Sequence, residues 1–252
     1  MFQRAAAAHD PLVKARQERQ NAPKPAAGKI FKADDEQVDL LPLDDRVVKI
    51  VTPFAHLPYE EQLVKKQETA LGIMRRLGNE IIKVNPGLGD FVKFNKLRRK
   101  GSVCELDDII SSPVIKGYRN KCEFTVGINP ETNELAVGFR VSSYKDGCVS
   151  VGPVVKLANI NDTMKTLCVE LEKVFKASTH ASFDPITHEG VWRQVMMRTS
   201  VGGECMVMVS MHPQQLTESQ LQEQKNSLIN LCKSLEGPHK ISSLYVSIEG
   251  QK

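Results

Sequence analysis

The 252-residue sequence has few aromatic residues and lacks the short motifs that mark many enzymes. It contains one tryptophan, and aromatic residues make up only 6% of the chain. It has no glycine-rich phosphate loop, no G-x-S-x-G nucleophile elbow and no H-x-x-x-H metal motif. The six histidines are scattered, whereas a catalytic histidine needs a positioned partner. Motifs alone therefore do not predict an enzyme.

Long apolar runs are also absent. No stretch approaches the roughly 18 apolar residues of a membrane helix. The N-terminus has no apolar segment followed by a small-residue cleavage site, so no secretory signal is expected. The sequence therefore predicts a globular protein that does not contact a membrane.

The six cysteines do not follow a metal-binding pattern, because none pairs as C-x-x-C and no histidine completes a zinc site. No metal is expected. Most of them lie on predicted apolar stripes, which is typical of reduced core residues. A reducing compartment, the cytosol or the nucleus, is the corresponding expectation.

Basic residues are in mild excess over acidic residues. The net charge is +4 and the isoelectric point is about 8.7, values that fit a nucleic-acid ligand without requiring one. Residues 1–45 contain several prolines, and their charged residues are mostly basic in the first part and acidic in the last part. This composition predicts a disordered linker.

The stretch 117–127 alternates between two kinds of side chain. Cys122, Phe124 and Val126 point one way, while Arg119 and Lys121 begin the opposite row. This period predicts a half-buried strand. Two interpretations of the polar row stay open: an ordinary solvated strand face, or a basic surface that contacts a phosphate chain.

From residue 113 the pattern predicts β-β-β-α-β-β-α-β. The expected fold class is α+β, with a mainly antiparallel sheet and helices on one of its faces. Residues 113–252 would form this central domain. Residues 46–112 would supply an N-terminal helix, from Pro58 to about Ile82, and a basic loop that packs on the core.

The basic loop is expected at 93–100, after a turn at 85–89. The turn has two glycines but lacks the third glycine of a nucleotide loop, and no helix is expected to open after it. Five cations lie beside Phe91 and Phe94. Cations interleaved with aromatic rings suit nucleic-acid contact, although a simply solvated loop has the same composition.

Several motifs occur together in one order: the helix start 58–63, Tyr-Arg-Asn-Lys-Cys-Glu-Phe at 118–124, Gly-Phe-Arg at 138–140, Trp-Arg-Gln at 192–194 running into 197–200, and His-Pro-Gln at 212–214. In this order they resemble the RNA 5-methyluridine methyltransferases. The resemblance extends from about Val47 to Lys252.

In that family a cysteine adds to a flipped-out uracil of the tRNA T-loop, S-adenosylmethionine donates a methyl group and a carboxylate removes the ring proton. The resemblance places these groups in a domain that follows the matched region. No cysteine here stands in the family's nucleophile motif, and no iron–sulfur cluster is expected. The resemblance therefore implies a truncated protein, linker plus central domain, inactive alone and without its own cofactor.

The resemblance further implies that the central domain holds the T-arm of tRNA. A protein-interaction or regulatory fragment without tRNA specificity is the alternative, and a monomer is compatible with both. For Trp192 a base-stacking role and a core role stay open, and for Arg193 and Arg198 a solvated strand face is the alternative. The candidate RNA-binding residues are Tyr118, Arg119, Lys121, Arg140, Trp192, Arg193 and Arg198.

Overall fold

The structure, a computed structural model, describes residues 41–141, 150–213 and 216–250. Most of the predicted linker, residues 1–40, lies outside the described residues. Cys148, one of the six cysteines, and Gln214, the last residue of the His-Pro-Gln motif, also lie outside the described residues.

Five helices and six strands make up the described fold. The helices are α1 (Leu43–Val51), α2 (Tyr59–Val84), α3 (Gly89–Arg98), α4 (Asp162–Ala177) and α5 (Glu218–Ser234). The strands are β1 (Lys121–Ile128), β2 (Leu135–Arg140), β3 (Val151–Gly152), β4 (Trp192–Thr199), β5 (Cys205–Met211) and β6 (Ser243–Ile248).

The strands form one sheet in the order β3-β2-β1-β4-β5-β6. Every neighbouring pair is antiparallel except β5 and β6, which run parallel and are joined by α5. Parallel neighbours require a crossover of this kind, and α5 provides it. The predicted α+β class and the predicted element order are confirmed.

One face of the sheet carries the core. Phe124 of β1 lies opposite Val195 of β4, and both side chains are fully buried. The same cluster includes Val47 from α1, Leu171 from α4 and Leu228 from α5. The three helices that contribute to the core therefore cover the same face, as predicted, and the opposite face of β1 and β4 stays open.

Two of the core helices, α4 and α5, begin at side-chain caps. Asn161 accepts a hydrogen bond from the backbone N–H of Met164 at 2.9 Å and caps α4. Thr217 and Gln220 form a capping box at the start of α5, each side chain accepting from the other's backbone N–H. These caps satisfy N–H groups that the first helical turn leaves without partners.

The prediction of a loop at 93–100 is wrong, because α3 covers most of that segment. The side chain of Asn85 accepts from the backbone N–H of Gly87 at 3.1 Å, and Pro86 opens a short 3-10 turn that leads directly into α3. Proline suits the first helical position because it has no N–H to satisfy. Because of the two glycines, the sequence pattern predicted a turn here and no helix after it.

Helices α2 and α3 pack chiefly against each other. The Nζ of Lys96 on α3 lies 2.5 Å from the Oδ1 of Asn79 on α2, and Arg75 donates twice to the carbonyl of Lys100. Of the segment 46–112, α1 contributes directly to the sheet's core. The division of the chain at residue 112 stays a prediction.

Candidate nucleic-acid interface

The open face of the sheet carries rows of side chains that run across the strands. On this face Lys121 of β1 lies opposite Arg198 of β4, and Thr125 lies opposite Gln194. Glu123 lies between these two rows, opposite Met196. The face is therefore basic at one end and polar at the other.

Lys121 and Arg198 are both exposed cations at directly opposed positions. Like charges opposite each other on neighbouring strands destabilise a sheet. A phosphate bound from outside the protein would relieve this repulsion.

Glu123 partly balances this charge. Its Oε1 lies 2.8 Å from the Nζ of Lys121, and the Nε2 of Gln194 donates to its Oε2 at 3.2 Å. The hydrogen bond and the charge of Lys121 lower the pKa of Glu123. The carboxylate is thus held in place beside the basic pair.

Tyr118 and Arg119 precede β1 and are both exposed, the tyrosine by 58% of its surface. The backbone N–H of Arg119 donates to the carbonyl of Asn159 at 3.0 Å, and its Nε donates to the carbonyl of Lys121 at 3.1 Å. The guanidinium is therefore fixed close to Lys121. The structure brings these three predicted residues together.

Arg140, at the end of β2, is half-buried. It is two residues from Gly138, which lies opposite Thr125 in the antiparallel pairing with β1. Side chains two positions apart on a strand share a face. Arg140 therefore lies on the same side of the sheet as Thr125, two strands away from Arg198, and is paired with the fully buried Val151 of β3.

Trp192 lies in the core. Its side chain has no exposed surface, its ring stacks on Phe175 with centroids 4.3 Å apart, and its Nε1 donates to the Oγ of Ser178 at 2.8 Å. Both the ring and its polar atom are thus engaged inside the protein. Of the two roles considered for Trp192, the geometry favours the core anchor.

Arg193 is also engaged within the protein. It lies at an irregularity in the β4–β5 register, forms an ion pair with Glu249 and sits over the ring of Phe183 at 5.2 Å. A bulge re-aims the side chain that it carries. Arg193 thus links β4 to the end of β6 and to the loop before β4, away from Lys121 and Arg198.

A second row on the open face escaped the sequence interpretation. Met196, Met208 and Tyr245 are aligned by the pairing of β4, β5 and β6. The methionines are half-exposed, and 56% of the Tyr245 surface is exposed. The alternation of β5 contained part of the signal, because Met206 and Met208 are two positions apart and therefore share a face.

The described cysteines do not supply an activated thiol in the core. Burial raises the pKa of Cys122 and of Cys168, and it raises the pKa of Cys205 to about 11. A nucleophile must be a thiolate near neutral pH. These three thiols instead stay protonated and pack as small apolar side chains.

The parallel crossover among the described residues lacks the glycine-containing turn expected for S-adenosylmethionine, the cofactor that the resemblance implies. The one parallel crossover among them is β5-α5-β6, and its entry segment 212–217 has no glycine. Thr217 and Gln220 already cap the first turn of α5. Close approach of the backbone to a cofactor at such a turn usually needs glycine. This turn is therefore not assigned as a cofactor site.

Comparison with known proteins agrees with the motif order. A mouse tRNA (uracil-5-)-methyltransferase homolog A is 30% identical over 232 residues, 91% of this chain. A human tRNA (uracil-5-)-methyltransferase homolog B is 34% identical over 201 residues, 77% of this chain. The chain is a relative of these methyltransferase homologs. The resemblance stated from the motifs is confirmed.

The chain spans 38% of the length of the mouse tRNA (uracil-5-)-methyltransferase homolog A and 39% of the human homolog B. No family model matches it. This chain also aligns with a crystal structure of a Pyrococcus abyssi tRNA (uracil-54, C5)-methyltransferase in complex with S-adenosyl-L-homocysteine. The alignment covers 78% of this chain and 36% of the P. abyssi chain, at 18% identity and a TM-score of 0.45.

Among the residues that the structure describes, no helix has the length and apolar character to cross a membrane.

Proposed function

We propose that the region 41–250 binds RNA on the open face of its sheet, with the T-arm of tRNA as the ligand. The opposition of Lys121 and Arg198 carries this proposal, because two exposed cations at paired positions create a site for a phosphate. The relation to tRNA (uracil-5-)-methyltransferase homologs supports tRNA as the RNA concerned.

The basic surface continues on both sides of this pair. Arg119, with Tyr118 beside it, extends it before β1, and Arg140 extends it toward β2. Phosphate contacts of this kind fix the position and register of a nucleic acid and carry little sequence information. The proposed role is therefore to position the RNA.

The proposal also states that these residues alone do not transfer a methyl group. This part of the proposal rests on the protonated core thiols and on a β5–α5 turn unsuited to a nucleotide cofactor. The transfer chemistry would lie in parts of the relatives that this chain does not match. The proposed location is the cytosol or nucleus, because free core thiols stay reduced there.

A filter-binding titration with a T-arm hairpin RNA over a range of salt concentrations tests the proposal. Lys121→Ala and Arg198→Ala should each weaken binding and reduce the slope of log K against log salt by about one. Lys233→Ala, an exposed position in the last turn of α5, is the matched control. Binding without salt dependence, or unchanged in both variants, would contradict the proposal.

Incubation with labelled S-adenosylmethionine and unmodified tRNA tests the absence of transfer. The expected result is no label in the RNA. Label incorporation by this chain alone would show an enzyme and would refute that part of the proposal.

A second candidate function, docking of another protein, is favoured by apolar side chains on α3. Leu97 exposes 88% of its surface and Phe91 exposes 58%. Monomeric proteins rarely expose contiguous apolar patches. This candidate predicts no preference for tRNA over a polyanion such as heparin, so a heparin competition in the same titration separates the two functions.

A further inference from the structure

A cleft of about 690 Å³ lies where the connection between α1 and α2 meets the segment that leads into β1. The first turns of α2 supply Tyr59 and Lys66 to one wall, and the segment before β1 supplies Lys116, Tyr118 and Arg119 to the other. Its volume falls in the range of small-molecule and cofactor sites. The cleft therefore has room for a nucleotide.

The walls are held together by hydrogen bonds. The backbone N–H of Ser112 donates to the hydroxyl of Tyr59 at 2.7 Å, which ties the segment before β1 to α2. The backbone N–H of Gly117 donates to the carbonyl of Ala158 at 2.8 Å. The cleft is thus formed before any ligand binds, so little ordering cost opposes binding.

The chemistry of the lining is basic and aromatic. Lys66, Lys116 and Arg119 contribute three cations, and no carboxylate belongs to the lining in the part of the chain that the structure describes. The exposed ring of Tyr118 lies between two of these cations in the sequence, beside the exposed apolar side chain of Ile115. Rings that stack on bases and cations that follow a phosphate backbone are the features of single-stranded nucleic-acid sites.

We propose that this cleft holds one unstacked nucleotide of the bound RNA, with its base on Tyr118 and its phosphates near Lys66 and Lys116. The proposal rests on the proposed function, since Arg119 lines the cleft and its Nε donates to the carbonyl of Lys121, the first residue of β1. An RNA that follows the basic face would reach the cleft at the start of β1. Paired nucleotides cannot enter, so the cleft selects unpaired ones.

The test compares two RNAs, a T-arm hairpin with its unpaired loop and a blunt duplex of the same stem. Tyr118→Ala should weaken hairpin binding by about fivefold to a hundredfold, the effect of one lost base stack, and should leave duplex binding unchanged. Tyr118→Phe keeps the ring and should bind like the wild type. The thermal unfolding midpoints of both variants should match the wild type, because Tyr118 is exposed.

Lys66 and Lys65 form a matched pair for the phosphate contacts. Both are exposed on α2, but Lys66 lines the cleft, whereas Lys65 pairs with Glu68 outside the lining. Lys66→Ala should reduce the salt slope of hairpin binding by about one, and Lys65→Ala should leave it unchanged. Equal slopes for the two variants would count against a phosphate at this wall.

The proposal for the cleft and the proposal that the open face binds RNA can be refuted separately. If Lys121→Ala weakens both RNAs while Tyr118→Ala leaves hairpin binding unchanged, the cleft proposal is wrong and the RNA-binding proposal stands. If the wild type binds neither RNA in a salt-dependent way, both are overturned. A selective loss of hairpin binding in Tyr118→Ala, restored in Tyr118→Phe, supports the cleft.

Discussion

The Lys121 ammonium lies 2.8 Å from the Oε1 of Glu123, on the same strand face that presents Arg198 one strand away. A carboxylate in this position competes with an incoming phosphate for the lysine. The charge of the proposed RNA-binding face is therefore set by Lys121, Glu123 and Arg198 together, and the proposal assigns to Glu123 the effect that opposes binding.

Glu123→Gln should raise the affinity for T-arm RNA several-fold. The substitution removes the competing negative charge but keeps a side chain that can hydrogen bond with Gln194. The increase should be largest at low salt, where exposed charges are least screened. Titration of the variant and wild type at two salt concentrations measures it, and equal affinities at low salt would be inconsistent with phosphate binding beside Lys121.

Trp192→Ala should lower the free energy of unfolding by about 3–5 kcal/mol, because it empties a fully buried site. Trp192→Phe should cost less, since it keeps the stack on Phe175 but loses a hydrogen bond to Ser178 worth about 1 kcal/mol. Urea unfolding followed by circular dichroism measures both.

Trp192 is the single tryptophan of the chain, so its fluorescence reports on one site. Saturation with T-arm RNA should leave this fluorescence nearly unquenched, because the ring is enclosed by the core. Strong quenching by RNA at unchanged stability would instead indicate that a base reaches the ring.

Glu172 gives the stability a defined pH dependence. Burial raises the pKa of Glu172, and the hydrogen bond from the backbone N–H of Val137, at 2.8 Å, offsets only part of this effect. The folded state therefore holds the proton more tightly than the unfolded state. The free energy of unfolding should fall as pH rises from about 4.3 through the folded pKa.

Glu172→Gln should remove this fall while keeping an acceptor for Val137. Glu172→Ala should also remove it but should destabilise the protein at every pH, since a buried N–H without a partner costs about 1–3 kcal/mol. Urea unfolding at a series of pH values measures the slopes. A wild-type slope in Glu172→Gln would assign the pH dependence to another group.

Gly138→Ala should destabilise the sheet by about 1–3 kcal/mol or more, as overpacking does. An added Cβ at Gly138 would lie 2.1 Å from the carbonyl oxygen of Gly152, closer than any real contact. The matched control is Gly72→Ala in α2, where an added Cβ meets nothing within 4 Å. This control should gain about 0.5–1 kcal/mol from its higher helix propensity. Thermal unfolding of the two variants should show shifts of opposite sign.

Local signals predicted much of the fold. The alternation at Cys122 and Phe124 identified the buried face of β1, and the succession of apolar patterns predicted the element order from residue 113. These features depend on neighbours in the sequence. The helix α3 was missed because its glycine-containing entry is a 3-10 turn, which has no apolar period to detect.

The site was predicted less completely, because its residues meet through strand pairing. Tyr118, Arg119 and Lys121 are adjacent in the sequence and were found together. That Arg198 lies opposite Lys121 depends on the pairing of β1 with β4, which no local pattern contains. The contacts of Arg193 with Glu249 and Phe183 likewise depend on the tertiary fold, which no local pattern contains.

The central position of β1 also has a kinetic consequence. Its partner β4 follows it only after β2, β3 and α4, so the β1–β4 ladder closes a long loop of chain. Contacts between distant segments form late, because the entropy of loop closure must be overcome first. The hairpin of β1 and β2 closes only a short loop, whereas Lys121 and Arg198 become neighbours only once the longer loop between β1 and β4 has closed.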